Sequence, residues 1–220
     1  MNFSAISSED KQAALSELRS ITADFAARGW FPGTSGNLSL RVGGFSPDRF
    51  HFAIAASGKD RSIGNHEDFL FVDTNGEPCE TTNLKPSPET MIHAKIYRVT
   101  GCGAIFHVHT VYNTMLSEYY GDQGAVPAKG IELIKDLGIW EDDDSIQIPV
   151  LPNYRDISKI AKLISGSLKP EVPGILLRNH GIYAWGKNAL EAKRHLESFE
   201  FIFEVLYRSL LLPPGPAKKG

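Results

Sequence analysis

The sequence predicts a single α/β domain whose mixed or largely antiparallel sheet is covered by helices on both faces. Segments that repeat apolar residues at three- and four-residue steps, as amphipathic helices do, interleave with short alternating or apolar segments typical of strands. The pair Asn75-Gly76 favours a tight turn between two strands. The 220 residues are enough for one sizeable domain and short for two.

The first half of the chain is predicted to contribute two helices and three strands. Residues 9–28 repeat apolar side chains at helical spacing from Leu15 to Phe25, and Gly29 ends the pattern. Alternating or apolar segments then predict three strands, at 37–42, 51–57 and within 69–78. A second helix is expected at 87–99, with Ser87 as its N-cap and Pro88 in its first position.

The second half continues the alternation of strands and helices. The predicted elements are a strand at 104–109, a helix at about 111–120, a short helix at 128–138, a strand at 145–151, a helix at 155–168, two strands within 174–186 and a long helix at 188–212. Residues 213–220 are rich in proline and glycine and are unsuited to packing. We therefore expect one domain over 1–212, followed by a disordered tail over 213–220.

Composition and charge exclude several classes of protein. The chain is 42% hydrophobic and 22% charged, as globular proteins are, and its formal net charge is −3. This balance favours neither nucleic acid nor a membrane surface as a partner, and no apolar run approaches the ~20 residues of a membrane span. Two cysteines, Cys79 and Cys102, are too few for a disulfide framework. Since the N-terminal segment is also unlike a secretory signal, we expect a cytoplasmic protein.

A pair of histidines lies in the apolar strand "AIFHVHT" at 104–110. Side chains alternate between the faces of a strand, so His107 and His109 point to the same side. Burial of two imidazoles costs a few kcal/mol unless each finds a partner, and one divalent metal ion would satisfy both. From the spacing alone, a metal site and a packed or surface pair both remain open.

A third histidine strengthens the metal interpretation. His180 is predicted to lie at a turn between two strands, where rigid neighbours can present a ligand; the alternative is a turn residue bonded to the local backbone. Three neutral imidazoles around Zn²⁺ leave a fourth position open, which is typical of a catalytic site. The absence of thiolates from this set suits an oxygen-rich substrate.

Several loops are rich in hydrogen-bond donors and are candidates for binding phosphate, although each taken alone could be a plain turn. A loop that wraps an anion needs small residues, backbone N–H groups and hydroxyls, and a helix N-terminus is a favourable end for an anion. The candidate residues are Gly33, Thr34, Ser35, Gly36, Asn37, Ser57, Gly58, Lys59, Lys85 and Ser87. Together with a metal, these loops indicate a small phosphorylated sugar as the substrate.

Two glutamates are candidate acid–base residues. Glu89 lies at the start of a predicted helix, where a carboxylate can also simply complement the helix dipole. Glu132 lies in an otherwise ordinary amphipathic helix, and the pattern alone would make it a solvated surface residue. The residue pattern therefore leaves both roles open.

Four segments, "GTSGNLS", "SPETMIHAKIYR", "AIFHVHT" and "NHGIYAWG", resemble in this order the class II aldolase family of zinc lyases, and the resemblance runs from about residue 10 to residue 210. It implies a three-layer α/β fold with a central, mainly antiparallel sheet. It also implies one zinc ion per subunit, bound by His107, His109 and His180. Members of this family are expected to form homotetramers with active sites at the subunit interfaces.

The resemblance leaves the acid–base residue ambiguous. In the sugar-phosphate aldolases of the family the glutamate of the S-x-E motif has this role, which implies Glu89, whereas in the dehydratases a glutamate of the later short helix has it, which implies Glu132. We favour a dehydratase with Glu132 as the acid–base residue and Glu89 as a second catalytic or site-shaping residue. An aldolase or epimerase acting on a related ketose phosphate is the alternative. A non-catalytic module with an adducin-like role would be expected to lose metal ligands, and all three histidines are present.

Overall fold

A computed structural model of the chain describes residues 3–61, 68–140 and 145–213. The α-helices of these residues are α1 (Ser8–Ala27), α2 (Thr90–Thr100), α3 (Val111–Tyr119), α4 (Ile157–Ser167) and α5 (Ala189–Leu210). The strands are β1 (Asn37–Ser46), β2 (Arg49–Ala55), β3 (Phe69–Asp73), β4 (Ala104–Val108), β5 (Ala125–Lys129), β6 (Ser145–Leu151), β7 (Gly174–Leu177) and β8 (Gly181–Gly186). Short 3₁₀ helices form at Phe3–Ala5, Gly121–Gln123 and Glu132–Leu137.

The strands of the described residues join in one sheet in the order β3-β2-β1-β4-β8-β7-β6-β5. Neighbouring strands are antiparallel except for β6 and β7, which are parallel. Helices cover both faces, so the prediction of a central, mainly antiparallel sheet between helical layers is confirmed. Strands β4 and β8 lie in the middle of the sheet, where each is paired on both sides. The predicted metal ligands lie in β4 (His107), just after it (His109) and just before β8 (His180).

Two hydrophobic cores fill the space between the layers. Helices α1, α3 and α5 pack on one face, where the core includes Phe25 and Phe106. Helices α2 and α4 pack on the other face, where the core includes Ile96 and Ile105. Side chains alternate along β4, so His107 lies on the same face as Ile105, beneath α2. None of the helices in the described part of the chain is long and apolar enough to cross a membrane.

The prediction of a short helix at 128–138 was wrong in the extent of the helix. Its first residues belong to β5, an edge strand that the sequence analysis missed because Pro127 interrupts it. An edge strand tolerates proline because the missing N–H is not needed on its open side. The remaining residues, Glu132–Leu137, form a 3₁₀ helix that ends at Gly138 with φ +89°.

Helix α2 begins later than predicted. Ser87 is not the N-cap of the helix; its hydroxyl accepts the backbone N–H of Glu89, and its carbonyl accepts the backbone N–H of Thr90. These bonds form a turn that places Glu89 itself at the N-cap position, without a side-chain capping bond. The side chain of Glu89 is thereby left available for other contacts. The boundaries of one domain over 1–212 stay a prediction, and residues 214–220 of the predicted tail lie outside the described residues.

Candidate active site

Three histidines converge at the middle of the sheet. His107 is on β4, His109 lies just beyond the end of that strand, and His180 occupies the turn that leads into β8. One ring nitrogen from each histidine lies within 4.8 Å of the other two. The Nε2 atoms of His107 and His109 are 2.8 Å apart. The fold therefore brings together three residues that are far apart in the sequence, and their arrangement is one that could hold a metal ion.

Burial keeps these imidazoles neutral. It lowers the pKa of His109 to about 2, lowers the pKa of His107 well below 6.5, and also lowers the pKa of His180. The mutual proximity of the rings lowers the pKa of His107 and His109 further. Neutral imidazole is the form that binds a metal, and nitrogens this close suit one cation with metal–nitrogen distances of about 2.0–2.1 Å. The donor set thus fits a divalent metal ion.

The orientation of His107 is fixed by two contacts. Its Nδ1 donates a hydrogen bond of 2.9 Å to the carbonyl of Ile182, which leaves the lone pair on Nε2 facing the other two histidines. Its ring stacks on that of Tyr183 with a centroid distance of 3.9 Å and an interplanar angle of 8°. Both contacts come from β8, so the pairing of β4 with β8 sets the ligand orientation.

Gly181 allows β8 to approach the histidines. A Cβ atom at this position would lie 2.5 Å from the carbonyl oxygen of Val108 and 2.9 Å from ring atoms of both His107 and His109. No side chain fits there without displacement of the strand or of the rings. The glycine is therefore required by close packing against the two ligands.

Helix α3 fastens the turn that carries His180. The hydroxyl of Thr114 donates to the carbonyl of His180 at 3.1 Å, and the backbone N–H of Asn179 donates to the hydroxyl of Ser117 at 3.0 Å. Asn179 adopts a left-handed conformation with φ +51°, which asparagine tolerates better than most residues. Arg178, in the same turn, forms ion pairs with Glu118 of α3 and with Asp122, which lies just after that helix.

A buried glutamate holds the start of α3. Glu200 of α5 accepts hydrogen bonds from the hydroxyl of Thr110 at 2.6 Å and from the amide of Asn113 at 2.8 Å. Thr110 is the N-cap of α3 and directly follows His109. Burial raises the pKa of Glu200 to about 7, while its two hydrogen bonds act in the opposite direction. Glu200 thus ties the ligand-bearing segment to the long helix behind it.

Glu89 lies between two of the histidines. Its carboxylate oxygens are 3.2 Å from Nε2 of His180 and 3.4 Å from Nε2 of His107. The amide of Asn37 donates to the same carboxylate at 2.6 Å. Asn37 lies directly opposite His107 in the ladder between β1 and β4, so the strand register sets its position. One of the two candidate acid–base residues therefore lies beside the histidines.

A cavity of about 420 Å³ opens onto this cluster. Most of the candidate phosphate-binding residues line it together with Glu89, His109 and His180. These residues are Thr34, Ser35, Gly36, Asn37, Ser57, Gly58 and Ser87. The cavity lining does not include Gly33, Lys59 or Lys85. The backbone of Lys85 does support the cavity, since its carbonyl accepts the N–H of Ser57 at 2.8 Å.

Sequence reasoning missed a cationic residue in the cavity lining, Arg61. The side chain is buried, and its Nη2 donates to the carbonyl of Ala56 at 2.8 Å. Its Nη1 and the hydroxyl of Ser35 are both buried without a hydrogen-bond partner among the described residues. Burial lowers the pKa of this guanidinium from 12.5, although Asp68 and Asp60 oppose the shift. The segment "AASGKDR" held the signal, but its lysine was the more obvious candidate.

The second candidate glutamate lies elsewhere. Glu132 starts the 3₁₀ helix Glu132–Leu137, its side chain is 78% exposed, and it pairs with Lys135 at 3.0 Å. It is not among the residues that line the cavity. Within one chain, the fold therefore places Glu89 at the histidines and presents Glu132 to the outside.

A family model supports these observations from the sequence side. Residues 16–207 match the model described as "Class II Aldolase and Adducin N-terminal domain". The chain belongs to the class II aldolase and adducin N-terminal domain family. The resemblance found in the four sequence motifs is confirmed, and the family covers the whole sheet and all three histidines.

Relatives within the family are close. A methylthioribulose-1-phosphate dehydratase from Persephonella marina is 47% identical over 94% of each chain. The protein of the same name from Bacillus subtilis is 46% identical over 88% of this chain and 91% of that protein. Among solved structures, l-fuculose-1-phosphate aldolase from Thermus thermophilus matches with a TM-score of 0.69 and 26% identity, over 91% of this chain and 96% of that chain.

Substitution of Gly181 tests the close packing at the ligands. In Gly181→Ala, the added methyl group meets both rings and the Val108 carbonyl, so we expect the affinity for a divalent metal to fall roughly 10-fold or more. Titration with Co²⁺, followed by its visible absorption, measures this affinity. Gly166→Ala is the matched control, because a Cβ atom there meets nothing within 4 Å. Unchanged Co²⁺ affinity in Gly181→Ala would contradict the packing argument.

The raised pKa of Glu200 predicts a pH-dependent stability. Because the folded-state pKa of about 7 exceeds the ordinary value of 4.5, the folded state binds more protons between these values. The contribution of Glu200 to the free energy of unfolding is then fully present below pH 4.5 and is lost as the pH rises through about 7, by up to roughly 3 kcal/mol. Urea denaturation at a series of pH values should show a smaller loss between pH 5 and 8 in Glu200→Gln than in the wild type. Parallel curves for the two proteins would contradict the assignment.

Proposed function

We propose that the chain is a zinc-dependent methylthioribulose-1-phosphate dehydratase of methionine salvage. The reaction would convert 5-methylthioribulose 1-phosphate into 2,3-diketo-5-methylthiopentyl 1-phosphate and water. The observation that carries this proposal is the cavity at the histidine cluster, whose lining combines His109 and His180 with the donor-rich loops, while the buried His107 completes the cluster behind it. Relatives of that name are 43–48% identical over most of their length and point to the same substrate.

The loops of the cavity would bind the phosphate. The cavity lining includes the hydroxyls of Thr34, Ser35, Ser57 and Ser87 and the glycines Gly36 and Gly58, which would supply hydroxyl and backbone N–H donors to the phosphate. Arg61 would add the charge that these neutral donors lack, since one of its nitrogens has no partner among the described residues. Lys59 and Lys85 remain proposed contributors to the positive field around the phosphate.

The three histidines would hold one zinc ion per subunit. When bound, such an ion acts as a Lewis acid on the oxygens of the ketose and makes the proton on C3 more acidic. The chain itself would orient the substrate between this point and the phosphate loops. Glu89 lies beside the histidines and would accept the C3 proton. The stacked rings of His107 and Tyr183, both fully buried, would exclude water from the inner side of the site.

Glu132 would supply the acid for the second half of the reaction. The C4 hydroxyl leaves as water only if it receives a proton, and the enol that remains becomes the 2,3-diketone by a proton shift. Because Glu132 is exposed and lies away from the cavity of its own chain, we propose that it acts in the active site of a neighbouring subunit.

A cytoplasmic homotetramer with active sites at its subunit interfaces would allow this arrangement. Three apolar side chains of α3, Val111, Met115 and Tyr119, are exposed at four-residue steps and so form one stripe. The stripe starts two residues after His109, so a second copy packed against it would also lie next to the cavity. Both cysteines are free thiols, which suits a cytoplasmic location.

An aldolase or epimerase acting on a related ketose phosphate is the second candidate. The contact of Glu89 with two histidines favours it, because the glutamate of the S-x-E motif is the acid–base residue expected for the sugar-phosphate aldolases. The products distinguish the reactions: an aldolase yields an aldehyde, whereas the dehydratase yields a diketone. Assay of the purified enzyme with 5-methylthioribulose 1-phosphate and with a panel of ketose 1-phosphates therefore tests the proposed function directly.

Substitution of the two glutamates tests the acid–base assignment. We expect Glu132→Gln to lower kcat for dehydration by roughly 10²–10⁴-fold, because hydroxide is a poor leaving group without an acid. Glu89→Gln should also lower kcat, and Glu77→Gln, at an exposed glutamate, should not. Zinc content is measured alongside, so that loss of metal is recognised. Full dehydration activity in Glu132→Gln would refute its role.

Hybrid tetramers can show whether Glu132 acts between subunits. His107→Ala should lose both metal and turnover, so it provides an inactive partner for Glu132→Gln. If the two residues act in one site but come from different chains, mixed tetramers regain part of the activity. Hybrids that stay as inactive as their parents would show that Glu132 does not act across the interface.

Substitution of Arg61 tests the phosphate end of the cavity. Loss of a charged hydrogen bond costs roughly 1.5–3 kcal/mol, so Arg61→Gln should raise KM about 10- to 100-fold. Inhibition by inorganic phosphate should weaken in parallel. Arg49→Gln is the control, because this exposed arginine lies outside the cavity lining. A KM equal to that of the wild type would exclude contact of Arg61 with the phosphate.

A further inference from the structure

Five polar side chains interleave between strand β1 and helix α2. Glu89, His93 and Tyr97 recur at four-residue steps and share one face of the helix, and Asn37 and Ser39 recur at two-residue steps and share one face of the strand. The two sets alternate in space, so that each strand residue bonds two helix residues. A continuous chain of hydrogen bonds results, which starts at the active-site carboxylate and ends in the hydrophobic core.

The contacts along this chain are short, and its inner members are fully buried. The amide nitrogen of Asn37 donates to Glu89 at 2.6 Å, and the amide oxygen bonds Nε2 of His93. The hydroxyl of Ser39 bonds Nδ1 of His93 at 2.7 Å and the hydroxyl of Tyr97 at 2.8 Å. Ser39, His93 and Tyr97 are 0% exposed and Asn37 is 3% exposed.

The chemistry of the groups allows only one direction for these bonds. A carboxylate can only accept, so Asn37 must turn its NH₂ group to Glu89 and its oxygen to His93. Burial lowers the pKa of His93 to about 3, so the ring is neutral and carries one proton. Nε2 must hold that proton, and Nδ1 must accept from the hydroxyl of Ser39. That hydroxyl has a single proton, so it must in turn accept from Tyr97. Every donor therefore points toward Glu89.

We propose that His93, supported by Ser39 and Tyr97, is a positioning residue that fixes the amide of Asn37 and thereby holds the Glu89 carboxylate beside His107 and His180. Asn37 could otherwise rotate its amide by 180° and present oxygen to the carboxylate, which would repel it. The proton on Nε2 of His93 excludes that orientation, because it requires an acceptor. This inference rests on the proposed function only in that Glu89 takes part in the reaction.

A purely structural role would not need this arrangement. The surrounding core on this face is aliphatic and aromatic, and a buried imidazole costs free energy unless both nitrogens are bonded. An apolar residue of similar size would fill the same volume without that cost. The unbroken connection to Glu89, in which Asn37, His93 and Ser39 are each bonded on both sides, is instead what control of a catalytic group requires.

Steady-state kinetics of His93 variants with the metal-loaded full chain test the proposal. We expect His93→Leu to lower kcat roughly 10- to 100-fold, with KM within about 3-fold and metal content unchanged, because the phosphate loops and the ligands stay in place. His93→Gln should recover part of kcat, since its amide can still donate to Asn37. Ser39→Ala and Tyr97→Phe change the side-chain volume less and should also lower kcat. They therefore test the proposal even if His93→Leu fails to fold.

His195→Leu is the matched control for burial. This histidine is 7% exposed, and its Nδ1 bonds the carbonyl of Trp185 at 2.7 Å, outside the lining of the active-site cavity. We expect it to lower the melting temperature while kcat changes less than about 2-fold. Wild-type kcat in a folded His93→Leu, or a fall in kcat that follows loss of metal, would overturn the positioning role.

A double-mutant cycle separates positioning from an independent effect. If His93 acts through Asn37, then His93→Leu should lower kcat less than 2-fold further in an Asn37→Ala background. Full additivity of the two substitutions would refute the proposal.

A second measurement does not depend on the substrate. The ¹⁵N chemical shifts of His93 in the metal-loaded enzyme should report a neutral ring with the proton on Nε2, and a proton on Nδ1 would overturn the derived direction. An inactive wild type with this tautomer would contradict only the proposed function.

Discussion

The burial of several polar rings at one point is the constraint on which the rest of this structure depends. Each imidazole that leaves water loses hydrogen bonds, and each must recover partners inside the protein. His107 recovers one at the carbonyl of Ile182, and its remaining nitrogen faces those of His109 and His180. Nε2 of His107 and Nε2 of His109 are 2.8 Å apart, so their lone pairs would repel unless a proton or a metal cation is shared between them. The same desolvation that makes the rings poor bases makes them ready ligands.

This constraint explains why the neighbouring segments are so closely fitted. Strand β8 can approach because position 181 is a glycine, and the turn before it is bonded to α3 through Thr114 and Ser117. Helix α3 is itself bonded to α5 through Glu200. The ligands are thus held by a strand pairing, a helix start and a buried carboxylate on another helix. These contacts restrict the positions and orientations of the ring nitrogens more than a surface loop could.

Much of the fold and the histidine cluster could be predicted because the signals are local. Two histidines at strand spacing must share a face, and apolar periodicity identifies most helices and strands. Strand β5 was missed because Pro127 masks a short edge strand, and the start of α2 was misplaced because the Ser87 hydroxyl caps a turn instead of the helix. Arg61 was missed although its segment was noted, because only tertiary packing shows that this side chain, and not that of Lys59, lines the cavity.

The chain of hydrogen bonds behind Glu89 shows a different limit. Its two halves are each visible in the sequence, as polar residues at two-residue steps in one segment and at four-residue steps in the other. Neither half alone predicts a buried hydrogen-bond chain, because polar residues repeated at strand or helix spacing usually lie on a solvent-exposed face. Only the pairing of β1 beneath α2 shows that the two periods match, with about 6.6 Å between alternate strand residues and about 6 Å between helix residues one turn apart.

The two glutamates that the sequence could not separate are separated by the fold. Glu89 is held in place by partners from its own chain, with one carboxylate oxygen bonded to Asn37 and both near histidines. Glu132 is exposed and bonded only to Lys135 among the contacts described for it. A dehydration needs a base on one side of the C3–C4 bond and an acid at the leaving hydroxyl. In the proposed dehydration, Glu89 would be the fixed base supplied by one chain, and Glu132 would be the acid supplied by the surface of a neighbouring copy.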